Sequence, residues 1–457
     1  MALGTSFGRV CVLLLLAAAP GVPAIAQEPP EEPAAEPGWT FRFGLEARAN
    51  YRDSEENRFR VPFPFDASML PVGQENGFEE TVDAGSHVEV SNVALLATAG
   101  WRDLFTAHGK LDLIDLYDRN PTSTGDKVDI DEAWLRFGRE PEPATLAPGS
   151  GVYLKFGKIP KFERQDDRHL QSYGLVSTAF NRFEETGAEL GLHLGRHFYL
   201  KARAAAGNPV FLRDPNALAG DNGTPELLRQ NPDPDLKSGI VILYNAHSTN
   251  FDLDGELETG AGVGWRLADE GGRNGLDVLL WGNRRKLADT VKIGGTFYGG
   301  DLDILSAPAP DGKGDFAVTG DEKREVGGNV WLYLGGFSFF GQYVDQKLVG
   351  LPRTGLEGEV AWRFDLPLVW AVRGRQLFPS ITPAVRYSKL DNSFRNPPQT
   401  ASPSFSWDWE KVDAGLRLGL FTGLDLTVEY ADNRFILANG AKRKNNELLA
   451  TLAWRLR

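Results

Sequence analysis

The densest set of side chains able to do chemistry lies between Pro160 and Glu185. Lys161, Glu163, Arg164, Asp166, Asp167, Arg168, His169, Arg182, Glu184 and Glu185 crowd a stretch with no strand periodicity. Basic and acidic groups alternate there without a matched nucleophile and base. In a confined space such a mixture sets up a transverse field that orders polar solutes and biases ion passage. Lys161, Arg164, Asp166, Asp167, Arg168 and Arg182 are therefore candidates for the walls of a constriction. A second basic set comprises Arg42, Arg48, Arg52, Arg136, Lys155, Lys201, Arg203, Arg266, Arg386 and Arg417. By strand alternation these residues take the polar faces of segments whose other face is apolar.

Other chemistries find no support. The six histidines are His87, His108, His169, His193, His197 and His247. His193 and His197 have the spacing that holds a metal on a helix, but their stretch reads as a hairpin. Ser86 and His87 are adjacent, so a strand sends them to opposite faces. No GxSxG, phosphate loop or CxxC occurs. The run Asp252, Asp254, Glu256, Glu258 lacks the full spacing of a calcium loop and reads as a solvated turn. The sequence predicts no enzyme, no metal and no cofactor.

The elements that must position the basic residues are strands. In Gly187–Gly207, Ala188, Leu190, Leu192 and Leu194 share one face, and Phe198, Leu200, Ala202, Ala204 and Ala206 share another. A three-residue turn at Gly195-Arg196-His197 sets Leu194 against Phe198 and makes one apolar surface. Trp39–Arg52 alternates over fourteen residues without an error. The same logic holds at Arg102-Asp103-Leu104. At Gly335-Gly336 a two-residue turn demands a change of parity, and Val330, Leu332 and Leu334 give way to Phe337 and Phe339. Phe421-Thr422-Gly423 reads as a three-residue turn that conserves parity, from Leu416, Leu418 and Leu420 to Leu424, Leu426 and Val428. Trp101, Trp265, Trp362 and Trp454 fall near strand ends on the apolar face, as an interfacial girdle requires.

The chain has 457 residues, a net charge of −13 and one cysteine. The acidic balance argues against a nucleic-acid partner. Mean hydropathy of −0.30 excludes a bundle of membrane helices but not a membrane barrel, in which only alternate residues meet lipid. Residues 1–26 read as a cleaved export signal, with Arg9, the apolar run Val10–Ala19 and Ala24-Ile25-Ala26. Residues 27–37 read as a Pro/Glu-rich tail, and 38–457 as the barrel. The predicted fold is an all-β, transmembrane, antiparallel up-and-down barrel of about eighteen strands, with sixteen as the variant count. Strands at 236–246 and 290–301 belong to the eighteen. Long connections on one rim and short turns on the other fit an outer-membrane barrel.

Asp129–Phe137 (DIDEAWLRF), Leu154–Gln165 (LKFGKIPKFERQ), the loop leading into Gly187–Gly207, and the closing hairpin Val412–Arg457 resemble the phosphate-selective porin O and P family. That resemblance implies an outer-membrane porin, often a homotrimer, passing small hydrophilic solutes or anions such as phosphate through a water-filled lumen. It also implies a constriction loop at 160–185. Its partners would be outer-membrane lipid and the solutes themselves. The alternative at this stage is a non-conducting structural or adhesive barrel.

Overall fold

The computed structural model describes residues 38–456, apart from 56–57, 63–75, 81–84, 103, 116–127, 142–145, 148, 164–167, 181–183, 207–210, 213–242, 245–256, 270–272, 287–291, 294–299, 302–321, 349, 368–370, 373–374, 394–406 and 437–439. The expected export signal and the Pro/Glu-rich tail lie outside the described residues.

Sixteen long strands form the wall. They are β1 Trp39–Ser54, β2 Gly85–Trp101, β3 Phe105–Asp115, β4 Asp129–Phe137, β5 Gly151–Pro160, β6 Glu184–Leu194, β7 Phe198–Ala205 and β8 Glu258–Ala268. The wall continues with β9 Asn274–Lys286, β10 Glu322–Leu334, β11 Phe337–Leu348, β12 Leu351–Trp362, β13 Ser380–Asn392, β14 Asp408–Phe421, β15 Leu424–Ile436 and β16 Glu447–Leu456. Each pairs antiparallel with the next. β16 returns to β1 with Trp454 opposite Ala47, so no edge is left open. A single short helix, α1 (Leu175–Ala179), is described among the strands.

The expected count of eighteen becomes sixteen, for a definite reason. β7 pairs directly with β8, Leu200 opposite Val263. β9 pairs directly with β10, Val278 opposite Val330. No wall strand fits between either pair. Most of the expected strands at 236–246 and 290–301 lies outside the described residues. The described parts, Leu243–Tyr244, Lys292–Ile293 and Gly300–Asp301, belong to separate two-stranded ribbons. With these two strands removed, the connections sort by rim. Those after odd-numbered strands carry the long segments, and those after even-numbered strands are mostly turns.

The turns follow parity. Leu194 faces Phe198, Trp101 faces Phe105 and Leu334 faces Phe337. The closing hairpin differs in detail. Phe421 pairs with Leu424 across a two-residue turn, and the register shift between Gly419 and Phe421 absorbs Leu420. Leu418 still faces Leu426, because the bulge restores the parity that the shorter turn would have inverted.

The two faces of the wall are opposite in character. Phe41, Phe43, Val152, Leu200, Leu280, Val385 and Leu452 are exposed on the outside, while Glu189, Asn329, Glu357, Asp413 and Glu429 are buried within. Trp101, Trp265, Trp362 and Trp454 all lie on the outer face at the short-turn rim. Tyr51, Tyr343, Tyr387 and Tyr430 form the matching outer set toward the long-loop rim. Inside, large rings lie flat over glycines of the next strand. A Cβ at Gly191 would stand 2.0 Å from the Tyr153 ring, one at Gly264 1.9 Å from Tyr199, and one at Gly327 2.4 Å from Trp281. Glycine is required there because any side chain would occupy the space of the ring.

Candidate functional site

The site is the lumen, and its dominant feature is the connection between β5 and β6. In a ring of sixteen, β13 stands eight strands from β5 and is therefore diametrically opposite. The segment nevertheless bonds to that far wall. The His169 backbone N–H donates to Glu359 Oε1 at 2.7 Å, and its ring Nδ1 lies 3.1 Å from the same oxygen. Arg168 pairs with Glu357 at 2.8 Å. The Gln171 and Ser172 amides both donate to the Glu429 carboxylate, and the Val176 amide donates to Glu357 Oε2. Arg386 on β13 is fully buried. It donates to the Ser172 carbonyl at 2.8 Å, the Ser172 hydroxyl at 2.6 Å and the Tyr173 carbonyl at 3.2 Å, and it pairs with Asp413. Lys411 donates to the Tyr173 carbonyl at 2.6 Å and sits over the Tyr173 ring.

Sequence chemistry explains why an extended peptide can be held this way. Its amides need acceptors and its carbonyls need donors once they leave water. The inner faces of β12–β15 supply Glu357, Glu359, Asp413 and Glu429 as acceptors and Arg386 and Lys411 as donors. α1 then adds apolar contact. Leu175, Val176, Ala179 and Phe180 are buried in one cluster with Val344, Leu390, Trp407, Trp409 and Phe435 of the wall. Gly355 makes the seat, since a Cβ there would lie 2.7 Å from Phe180 and 3.0 Å from Val176.

At its root the segment is tied to the near wall. Lys161 Nζ reaches Glu258 at 3.1 Å and Glu185 at 3.5 Å. Arg203 pairs with Glu185, and Lys323 pairs with Glu258 at 2.8 Å. Burial alone would lower the Lys161 ammonium, but Glu258 and its neighbouring carboxylates outweigh it and hold the group above its ordinary value. Glu163 is fully buried. It accepts from Asn283 at 2.9 Å, and its backbone carbonyl accepts from Asn329 and Gln342. Burial pushes its carboxyl up, against the opposing charges of Lys161 and Arg203.

The candidates named from sequence thus separate. Lys161 and Arg168 hold the inward segment, while Arg164, Asp166, Asp167 and Arg182 lie outside the described residues. Arg203 and Arg266 are covered by ion pairs with Glu185 and Asp277. Arg52 pairs with Glu447 at 3.1 Å. Arg386 serves the segment rather than the open lumen. Arg42, Arg48 and Arg417 keep water-accessible surface on the inner face. Arg455, which terminal position obscures in the sequence, joins them. Asp425 pairs with Arg417 and lies 3.2 Å from Arg455. Glu46, which also keeps water-accessible surface, lies directly opposite Arg455 in the β1–β16 register, whereas Asp413, Glu429 and Glu447 of the same strands are buried.

A further inner group lies at the short-turn rim. Arg136, Lys155 and Lys201 converge on Glu140, which sequence reasoning leaves in an unremarked turn. Glu258, read from sequence as part of a solvated acidic turn, is instead a buried member of β8. Asp252, Asp254 and Glu256 lie outside the described residues. Asp131, Glu132 and Glu184 bring carboxylate oxygens within 4.8 Å of one another. Lys110 Nζ, 2.5 Å from Asp131, already supplies a counter-charge there.

No protein-family model matches the chain, and no curated protein sequence matches it. Solved structures resemble it in outline. The outer membrane channel DcaP of Acinetobacter baumannii is 10% identical, with 92% of this chain and 99% of that chain covered and a TM-score of 0.49. OprB of Pseudomonas putida is 10% identical, with 91% and 94% covered and a TM-score of 0.48. OmpF of Salmonella typhi, in complex with daunomycin, is 8% identical, with 91% and 97% covered and a TM-score of 0.46.

Proposed function

We propose that the protein is a porin of the bacterial outer membrane, passing small hydrophilic solutes by passive diffusion with a preference for anions. The outer surface supports the membrane part of this reading. Aliphatic side chains face outward between a rim of tryptophans and a rim of tyrosines, while backbone groups are satisfied around a closed ring. The export signal at 1–26 and a periplasmic tail at 27–37 belong to the same reading.

The observation that carries the anion preference is the wall formed by β14, β15, β16 and β1. Arg42, Arg48, Arg417 and Arg455 face water there against Glu46 and Asp425, a local excess of two positive charges. Rings of like charge lining a lumen favour the opposite ion. The inward segment crosses the ring to β12–β15 and narrows the passage, with Lys161 and Arg168 anchoring it; we assign Arg164, Asp166, Asp167 and Arg182 to the same constriction from their place in the sequence. Phosphate is the oxyanion that the family resemblance suggests.

The homotrimer also finds support on the outer face. Ala97, Ala99, Ala107, Gly109 and Ala133 line a groove of about 530 Å³ bounded by Phe41, Phe43 and Phe156. Small residues let a second barrel approach closely. One observation favours the alternative, a non-conducting barrel: α1 and its apolar cluster pack inside the ring against β11–β15.

Single-channel recording of the refolded protein in a planar bilayer under a KCl gradient tests the proposal. Discrete current steps with an anion-selective reversal potential are expected, and phosphate added to one side should carry or block current. Folded, inserted protein that stays silent would refute the channel and leave the structural or adhesive barrel.

A further inference from the structure

The short-turn rim holds a carboxylate in a cage of cations. Gly138, with φ of 82°, turns the chain sharply off the end of β4. Two residues later Glu140 points inward. Its Oε1 accepts from Lys201 Nζ at 2.9 Å and lies 3.2 Å from the Tyr153 hydroxyl. Its Oε2 lies 3.6 Å from Arg136 and 3.8 Å from Lys155. Trp134 forms one side of the cage, with Lys155 Nζ 4.5 Å from its ring centroid. Glu189 lies behind, 3.5 Å from Lys201 and bonded to the Tyr153 hydroxyl at 2.6 Å.

Two features distinguish this group from the buried ion pairs at the root of the inward segment. The three cations come from the rigid wall strands β4, β5 and β7, whereas the carboxylate comes from a connection outside the wall. The cage also remains open to water. The side chains of Glu140, Lys201 and Arg136 keep 19%, 15% and 21% of their surface. By contrast, the Lys161–Glu258 pair keeps 1% on each partner. Burial alone would raise the Glu140 carboxyl, but Lys201, Lys155 and Arg136 overcome that and hold it well below the ordinary carboxylate range.

We propose that Arg136, Lys155 and Lys201, framed by Trp134 and Tyr153, form a carboxylate-binding subsite at the short-turn mouth of the lumen, which Glu140 occupies as an internal ligand. Small organic carboxylates are its external ligands, because the group it already holds is a carboxylate presented edge-on to two lysines and a guanidinium. A solute carboxylate competes with Glu140 for the three cations. The subsite rests on the anion-channel reading for its role in transport, but its ligand binding can be measured without current.

Acetate is the probe. Glu140→Gln, with Glu140→Ala as a second variant, empties the cage of its internal charge. Sodium acetate should raise the thermal midpoint of either variant saturably, with sodium chloride at equal strength as control. The wild type should need about tenfold more acetate, the penalty of a site that its own ligand fills most of the time. Adding Lys201→Gln to Glu140→Gln should abolish the response. In KCl, Glu140→Gln should raise the anion-to-cation permeability ratio about twofold, the effect of one screened charge at the mouth. Equal acetate responses in wild type and both Glu140 variants, or none in any of them, would overturn the subsite. A conducting wild type with those results leaves the channel reading standing. A silent wild type whose Glu140 variants still bind acetate refutes the channel and keeps the subsite.

Discussion

Replacing Arg386 by alanine should release the inward segment while leaving the wall intact. Arg386 has no exposed surface and donates three hydrogen bonds to Ser172 and Tyr173. A hydrogen bond to a charged group contributes about 1.5–3 kcal/mol. The contacts share one guanidinium, and Lys411 still serves the Tyr173 carbonyl and Asp413, so the three do not add in full. A loss of about 3 kcal/mol in docking is a fair estimate for a buried charge removed from its partners. That corresponds to roughly a hundredfold shift toward the undocked state. The wall should be spared, because its strands are tied by their own backbone ladder and β13 keeps both neighbours. Hydrogen–deuterium exchange reads the effect without requiring current. The amides of His169, Gln171, Ser172 and Val176 should lose protection by about two orders of magnitude, while β13 amides keep theirs. Arg386→Lys should fall between, since lysine keeps the charge but not the fork. Unchanged protection of these amides in Arg386→Ala would refute the claim that charged side chains hold the segment.

Three further outcomes follow from the geometry. Gly264→Val forces a side chain into the Tyr199 ring, which is fixed by its hydroxyl bond to Asp277 at 2.6 Å. It should cost about 1–3 kcal/mol in unfolding measurements, and Tyr199→Ala in the same chain should recover part of that loss. No destabilisation would show that the ring does not lie over the glycine. The raised Glu163 carboxyl makes the folded protein bind that proton more tightly than the unfolded chain does. Its contribution is therefore complete below the ordinary carboxyl value, about 4.3, and is lost as pH rises through the raised folded value. Glu163→Gln should flatten the fall in thermal midpoint as pH rises above the ordinary carboxyl value, and an unaltered pH dependence would count against the buried carboxyl. Arg417→Ser combined with Arg455→Ser removes two partly exposed charges and should lower the anion-to-cation permeability ratio roughly fivefold in a KCl gradient. An unchanged reversal potential would refute this wall as the source of the preference.

Much of the wall was legible in the sequence because its cause is local. Alternation, turn length and glycine at turn positions decide which side chains face out, and each acts over a few residues. Thus Leu194 meets Phe198, Leu334 meets Phe337, and four tryptophans ring the outside as their spacing indicates. The bulge at Leu420 was not legible, because alternation reads the same on either side of a compensated shift. The strand count was overestimated for a related reason. A short apolar run at 236–246 or 290–301 satisfies the strand template, but membership of the wall depends on which partner is already paired. β7 and β9 find theirs in β8 and β10, across long connections.

Sequence by itself determined an apolar outside, a polar inside, one long-loop rim and a charged segment after the fifth strand. Tertiary structure alone decided what each charge does. Arg386, Arg203 and Arg266 share the parity of Arg42, Arg48 and Arg417, yet the first three are covered by partners and the others meet water. Parity assigns a face, whereas the distance to a carboxylate depends on residues hundreds of positions away, as Arg52 and Glu447 illustrate. Glu140 carried no signal, since its role comes from three cations on three strands. The seats at Gly191, Gly264 and Gly355 were equally silent. A glycine's need for space is set by the ring that folding brings across it, not by its neighbours in the chain.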